Sequence, residues 1–498
     1  MPRSRTGKTR LLLVISGFLT LVLLPGQASA YNWLQFNGDP QHSGNNSLER
    51  TINRENVGQL RELFTVRLPA AADGAPVYLG GVKTPGGVRD LLFVTAKTGR
   101  IIALDARSGA LVWQGENPSG KCRINRGALP CYTTSSPAID PDLRFVYSYG
   151  LDGYVHKYRV QDGSEVRGSG WPEVATRKPF DEKGSSALTI ATARNGISYL
   201  YVANSGYLGD RGDYQGHLTT INLADGSQKV FNTLCSNRPV HFAQSPQQPD
   251  CPARKSGVWA RAGVVYSPQT DRIYFATGNG PFSPPRFDWG DSVLALNPDG
   301  TGRNDVPVDS YTPSIFHLLD RADLDLGSTA PAILSTPSSN LAVQSGKDGK
   351  LRLIDLENLS GRGGPGHVGG AATIELPQGG PVFSAPASWS DPKDGTARVY
   401  LANSRGFSAL KLTPGKGLKE LWRTKTGGTS PLLVNGVLFC ARSGTIRALD
   451  SETGKVLWEN AGIGPIHWES PVVANGALYL TDETGSLHAY TLRGLAPK

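Results

Sequence analysis

The chain has 498 residues, enough for a large core, and its 60 glycines and 35 prolines against one methionine indicate a turn-dense all-β protein rather than a helical one. Its formal charge of +9 falls to about +5 once four basic residues at the extreme N-terminus are set aside, and no dense Lys/Arg run occurs. A nucleic-acid partner is therefore not expected, and the basic groups read as a solvated surface.

The first thirty residues stand apart. Arg3, Arg5, Lys8 and Arg10 precede an apolar stretch over 11–24, then Pro25 and the small-residue end Ala28-Ser29-Ala30. This is the pattern of a cleavable secretory signal over 1–30. No other long apolar stretch follows. The mature chain is expected to be periplasmic or secreted, with no membrane span after cleavage. Residues 31–59 are polar and turn-rich and form an irregular N-terminal segment.

From residue 60 to 498 one unit recurs. Its cleanest copy, 430–460, reads SPLLVNGVLFCARSGTIRALDSETGKVLWEN. Four short apolar runs are split by Asn435-Gly436, Ser443-Gly444 and Asp450 with Gly454, which makes a four-stranded antiparallel meander. One such sheet cannot bury both faces alone, so neighbouring copies must stack. The other copies begin near Ala75, Ser136, Ser186, Gly257, Gly327, Ser384 and Ser470. The last has only three runs. The stretch 60–67, LRELFTVR, has no meander before it and resembles LKELWRT at 418–424, the last run of a later copy. It can supply the missing fourth strand and close a ring, removing exposed edges. The expected fold is an all-β, eight-bladed β-propeller of four-stranded antiparallel blades, closed by an N-terminal strand in the last blade. A six- or seven-bladed ring competes, because the second and third copies are irregular. Insertions at 235–255 and 304–325, and the glycine-rich 361–370, are expected as rim loops near the axial mouth.

Five cysteines remain in a chain expected in an oxidising compartment. Cys122 with Cys131, and Cys235 with Cys251, each bracket an irregular loop and are expected to pair. Cys440 lies within an apolar strand and reads as a small hydrophobe.

The stretch 258–300, VWARAGVVYSPQTDRIYFATGNGPFSPPRFDWGDSVLALNPDG, carries a resemblance. The blade unit looks like the quinoprotein repeat, and this stretch is similar to the matching part of dehydrogenases that bind pyrroloquinoline quinone and calcium. The resemblance implies a cofactor-binding floor at Trp259, since an aromatic plate suits a flat tricyclic ring. It implies a calcium ligand at Asn279, within Thr277-Gly278-Asn279 and ahead of Gly290-Asp291, an amide oxygen being a suitable hard ligand. It places the catalytic base at Asp323, in Ala322-Asp323-Leu324-Asp325, with Asp325 as the competing choice. It places a cofactor contact at Lys347, in Lys347-Asp348-Gly349.

The chain also departs from that family. It has no adjacent Cys-Cys pair, and although Gly209-Asp210-Arg211-Gly212 resembles the family's Gly-x-Arg-Gly element, the preceding Gly206-Tyr207-Leu208 contains no calcium-binding Glu. Two functions are thus open. One is an exported dehydrogenase that uses pyrroloquinoline quinone and calcium to oxidise an alcohol or polyol and passes electrons to a separate acceptor. The other is a non-catalytic propeller that holds a protein or polysaccharide of the cell envelope.

Overall fold

The computed structural model describes residues 1–2, 31–115, 122–124, 129–242, 251–337, 339–391, 395–415 and 417–495. The expected signal lies, from residue 3 onward, outside the described residues, as does 243–250 within the insertion at 235–255. No helix among the described residues is long and apolar enough to cross a membrane.

The repeat folds into eight small antiparallel sheets. The reference copy forms the seventh, from strands Leu432–Val434, Val437–Arg442, Thr445–Asp450 and Val456–Asn460. Its turns follow from side-chain chemistry. The Asp450 carboxylate accepts the backbone N–H groups of Glu452 and Thr453, and Gly454 takes a φ of 71°. The Asp105 turn of the first blade repeats the arrangement with Arg107, Ser108 and Gly109.

A second recurring contact joins one blade to the next. The indole of Trp113 donates to the Val160 carbonyl and covers Gly163, where a Cβ would lie 2.5 Å from the ring. Trp422 covers Gly454 in the same way and donates to Ser451. Each glycine is thus required by its neighbour's aromatic ring as well as by its own turn.

The ring closes as expected. Strand Leu60–Arg67 pairs antiparallel with Ser486–Leu492, and the last blade is completed by Ala477–Thr481 and Val472–Ala474. Phe64, which stands where LKELWRT has Trp422, covers Gly109 of the first blade at 2.8 Å from a virtual Cβ. Trp458 of the seventh blade donates to the Leu60 carbonyl.

The outer strands of three blades lie elsewhere than expected. In the second blade, which begins near Ser136, the outermost strand is Glu173–Val174. The fourth is completed by Asp309–Tyr311 and the fifth by Ala372–Glu375. Part of the expected insertion 304–325 is therefore a blade strand, and the rest holds the short helix Phe316–Ala322. The glycine-rich loop bridges these two blades, with Gly369 donating to the Thr312 carbonyl and Gly366 to the Ser310 hydroxyl.

Residues 31–49 run across one end of the ring and touch the innermost strands of seven blades. Trp33 pairs with Tyr78, Ile139 donates to Leu34, and Gln35 exchanges hydrogen bonds with Ile190. Pro40 accepts from Tyr266, Ser43 from Ser388, and Asn45-Asn46 pairs in parallel with Leu433-Val434. Asn46 also donates to Val473. Phe36, at 0% exposure, sits beneath the guanidinium of Arg261, whose other side faces Trp468. The segment closes this end, so the axial depression opens at the other.

Candidate functional site

Four side chains named from sequence, Trp259, Asn279, Asp323 and Lys347, line one cavity of about 310 Å³ at the open end. Trp259 follows Gly257, which packs where a Cβ would meet Ser205 at 2.8 Å, and Val258 donates to the Asn204 carbonyl. Asn279 ends the turn after strand Arg272–Ala276. Between them Gly278 leaves room for two neighbours: a Cβ there would lie 3.0 Å from the Trp259 indole nitrogen and 3.3 Å from the Asp325 carboxyl carbon. Gly327 is pressed onto Thr277 in turn, at 2.4 Å from a virtual Cβ. These glycines draw three sequence-distant stretches onto one point.

The two competing acids differ in placement. Asp323 caps the helix Phe316–Ala322 with φ 52°, and its side chain is 66% exposed. Asp325 is 5% exposed and accepts the backbone N–H of Asn279 at 2.7 Å. Lys347 holds both, at 2.7 Å from Asp323 and 2.9 Å from Asp325, with its ammonium 5.3 Å above the Trp259 ring. Burial raises the Asp325 carboxyl above its ordinary range, and the charge of Lys347 opposes that rise. Asp291, behind it, caps the Leu326 N–H and is pushed up to about 8 by burial and by the Asp325 charge.

A further carboxylate, Asp210, lines the same cavity. It accepts the side-chain N–H of Asn279 at 3.1 Å and the Tyr214 hydroxyl at 2.7 Å, and it pairs with Lys255 at 3.2 Å. Burial would raise it, but these donors hold it below its ordinary range. It stands inside Gly209-Asp210-Arg211-Gly212, one residue past the Gly206-Tyr207-Leu208-Gly209 stretch that lacks a Glu. No adjacent cysteine pair exists. The Cys122–Cys131 disulfide, with Cα atoms 5.4 Å apart, packs instead behind Tyr132 and Tyr207 of the cavity wall. The second disulfide, Cys235–Cys251, also forms, and Cys440 is free and buried.

Lys183 was invisible to pattern reading. It is 7% exposed, reaches the cavity, and has no carboxylate or hydrogen-bond partner among the described residues; its ammonium faces only the Tyr132 ring, at 4.3 Å. Burial lowers its pKa to about 7, with Arg261 and Lys97 adding to the effect and Asp73 opposing it. His467 and Trp468 form the opposite wall. Asp73 pins them, accepting from the Trp468 backbone N–H at 2.9 Å and lying 2.8 Å from the His467 ring. Trp259, Phe383 and Trp468 form an aromatic triad, with centroids 5.8 to 6.4 Å apart.

The lining suits both a flat polyanionic quinone and a hard cation. A half-buried indole face, an uncompensated ammonium in Lys183 and a second cation in Lys347 suit the first. For the second, Asn279 gives its side-chain N–H to Asp210 and its backbone N–H to Asp325, and its side-chain oxygen, with no donor among the described residues, is left as a hard ligand beside the Asp210 carboxylate.

Residues 33–136 match the family model of the glucose/ethanol/alcohol dehydrogenase β-propeller domain, and 409–495 match that of the outer membrane protein assembly factor BamB. The chain is 23% identical over 496 residues to the dehydrogenase subunit of a quinone alcohol dehydrogenase from Komagataeibacter europaeus, covering 86% of this chain and 62% of the relative. In solved structures, the quinohemoprotein alcohol dehydrogenase of Comamonas testosteroni aligns with TM-score 0.66 at 15% identity, over 93% of this chain and 81% of that one. A europium-containing methanol dehydrogenase aligns with TM-score 0.62 at 15% identity, over 93% and 98%. The chain is thus similar over parts of its length to β-propellers of the quinoprotein alcohol dehydrogenase type, and it shares their propeller fold.

Proposed function

We propose that the chain is an exported dehydrogenase that binds pyrroloquinoline quinone and calcium in the axial cavity and oxidises an alcohol or polyol, passing electrons to a separate acceptor. The observation that carries this reading is the convergence of Trp259, Asn279, Asp325 and Lys347 on one cavity, with Lys183 left uncompensated beside them. Trp259 offers the face for a planar ring. Lys183 and Lys347 are placed to neutralise its carboxylates. Asn279 and Asp210 are the residues to hold calcium, which leaves Asp325 on Lys347. When bound, the quinone supplies the two-electron acceptor.

The chain's own groups then hold and move the proton. Asp325 is the better-placed base, because burial strengthens it and Asp323 gives Lys347 a second anchor at the rim. Its carboxylate accepts the alcohol proton, and Lys347 holds that carboxylate in place. The aromatic triad excludes water from the facing side. A non-catalytic envelope propeller gives no role to the buried Lys183 or to the Asp325–Lys347 pair.

The test is reconstitution with quinone and calcium, followed by dye reduction over a panel of alcohols. Asp325→Asn is expected to keep quinone binding and lose turnover by about two orders of magnitude or more, in line with removal of a general base. Turnover that survives in Asp325→Asn but is lost in Asp323→Asn returns the base role to Asp323.

A further inference from the structure

A second and larger cavity, of about 730 Å³, opens beside the first and shares His467 and Trp468 with it. It lies between the rim turns of the sixth, seventh and eighth blades. The two cavities differ in charge. The first is lined by three aspartates against two lysines. Among the sixteen residues lining the second there is no Asp or Glu, and two cations, Lys425 and Arg442, face it. Neither has an ion-pair partner among the described residues, and both stand exposed at the rim.

The remaining lining describes what such a cation pair would hold. The hydroxyls of Ser404 and Thr426 have no partner among the described residues, whereas those of Ser384 and Ser430 are committed to the backbone at Ala402 and Ala385. Phe383 and Trp468 present half-buried ring faces to the same space. Gly427 seats the floor directly on the sixth blade, since a Cβ there would lie 1.6 Å from the Asn403 carbonyl oxygen. Cations without acids select an anion, and a guanidinium matches the two oxygens of a carboxylate. Free hydroxyls beside aromatic faces suit a polyhydroxylated carbon chain or ring.

We propose that this cavity binds a polyhydroxylated carboxylic acid, of the aldonic or uronic acid class, with its carboxylate at Arg442 and Lys425. Its hydroxyl-bearing end points past Trp468 toward the Asp325 cavity. That this molecule is the alcohol oxidised rests on the dehydrogenase reading; that the cavity selects an anion does not.

The experiment is calorimetric titration of the full chain, without quinone, using sodium gluconate and the neutral polyol glucitol at one fixed ionic strength. Gluconate is expected to bind at least about tenfold tighter, the scale of two screened charge contacts. The double variant Lys425→Gln/Arg442→Gln is expected to abolish that preference, while Arg442→Lys retains most of it. Both side chains are exposed, and unchanged circular dichroism and denaturation midpoint establish that the variants fold. Equal binding of the two ligands, binding of neither, or a preference that survives the double variant overturns the proposal. Selective gluconate binding by a chain that takes no quinone sinks the dehydrogenase reading and leaves the anion site standing. Quinone-dependent turnover that favours neutral polyols over gluconate does the reverse.

Discussion

Replacing Lys183 by Met separates stability from binding at the proposed cofactor site. Lys183 lies in strand Glu182–Gly184, which pairs through its backbone with Ser198–Gly206, so the substitution leaves the hydrogen-bond ladder intact. The amine falls from its ordinary 10.5 to about 7 on folding. At about 1.4 kcal/mol per unit this is about 5 kcal/mol held against the charged form. The cation–π contact with Tyr132 returns about 1 kcal/mol of it. The sign follows from linkage: the folded pKa lies below the unfolded one, so the unfolded chain binds more protons between pH 7 and 10.5, and stability rises with pH across that window. Below pH 7 the full cost is present. Lys183→Met is therefore expected to be more stable than the parent by about 3–4 kcal/mol at pH 6, narrowing to within about 1 kcal/mol above pH 10.5. Urea unfolding at both pH values measures this. The same variant is expected to bind an anionic ligand in the cavity more weakly. A variant less stable than the parent at pH 6, or a gap that does not depend on pH, refutes the claim that an uncompensated charge is stored here.

Phe64→Ala removes the ring that docks on Gly109 and latches the last blade to the first; because Phe64 is only half-buried, a loss of about 2 kcal/mol is expected, read from the urea midpoint. An unchanged midpoint shows that the latch carries no stability. Of the five cysteines, one thiol per chain is expected to react in denaturant without reductant and five after reduction, because two disulfides form and Cys440 is buried. A count of three or five before reduction removes one or both bridges.

The ring was legible in the sequence because its units are local. The Asp450-to-Gly454 turn, the terminal Trp and the three short runs before it recur within some thirty residues, so spacing alone identifies a blade. The closing strand was legible because LRELFTVR repeats LKELWRT, including the aromatic that docks on the next blade. Three outer strands were not legible, because long connections separate them from their partners. Glu173–Val174 offers only two paired residues, and Asp309–Tyr311 lies where the spacing suggested a loop.

The site was legible where it sits on motifs at blade turns, which is why Trp259, Asn279 and Lys347 converge. The choice between Asp323 and Asp325 was not, since it depends on a helix that ends at Asp323 with a left-handed residue and turns that side chain to the rim. Lys183 and Arg261 were missed because nothing in a sequence marks a lysine or arginine as buried. Tertiary placement alone buries them near the axis. The plugging role of residues 31–49 was missed for a related reason: polar, turn-rich sequence reads as surface, yet Phe36, Asn37 and His42 are buried on the axis.

Uptake of the quinone by the axial cavity is the first requirement of a quinone-dependent dehydrogenase. Calorimetric titration of the purified chain with pyrroloquinoline quinone, with and without calcium, decides it. One quinone per chain is expected, tighter by about tenfold or more with calcium present, and weakened by at least about tenfold in Trp259→Ala. No heat at any calcium concentration, or identical binding by parent and Trp259→Ala, contradicts the account.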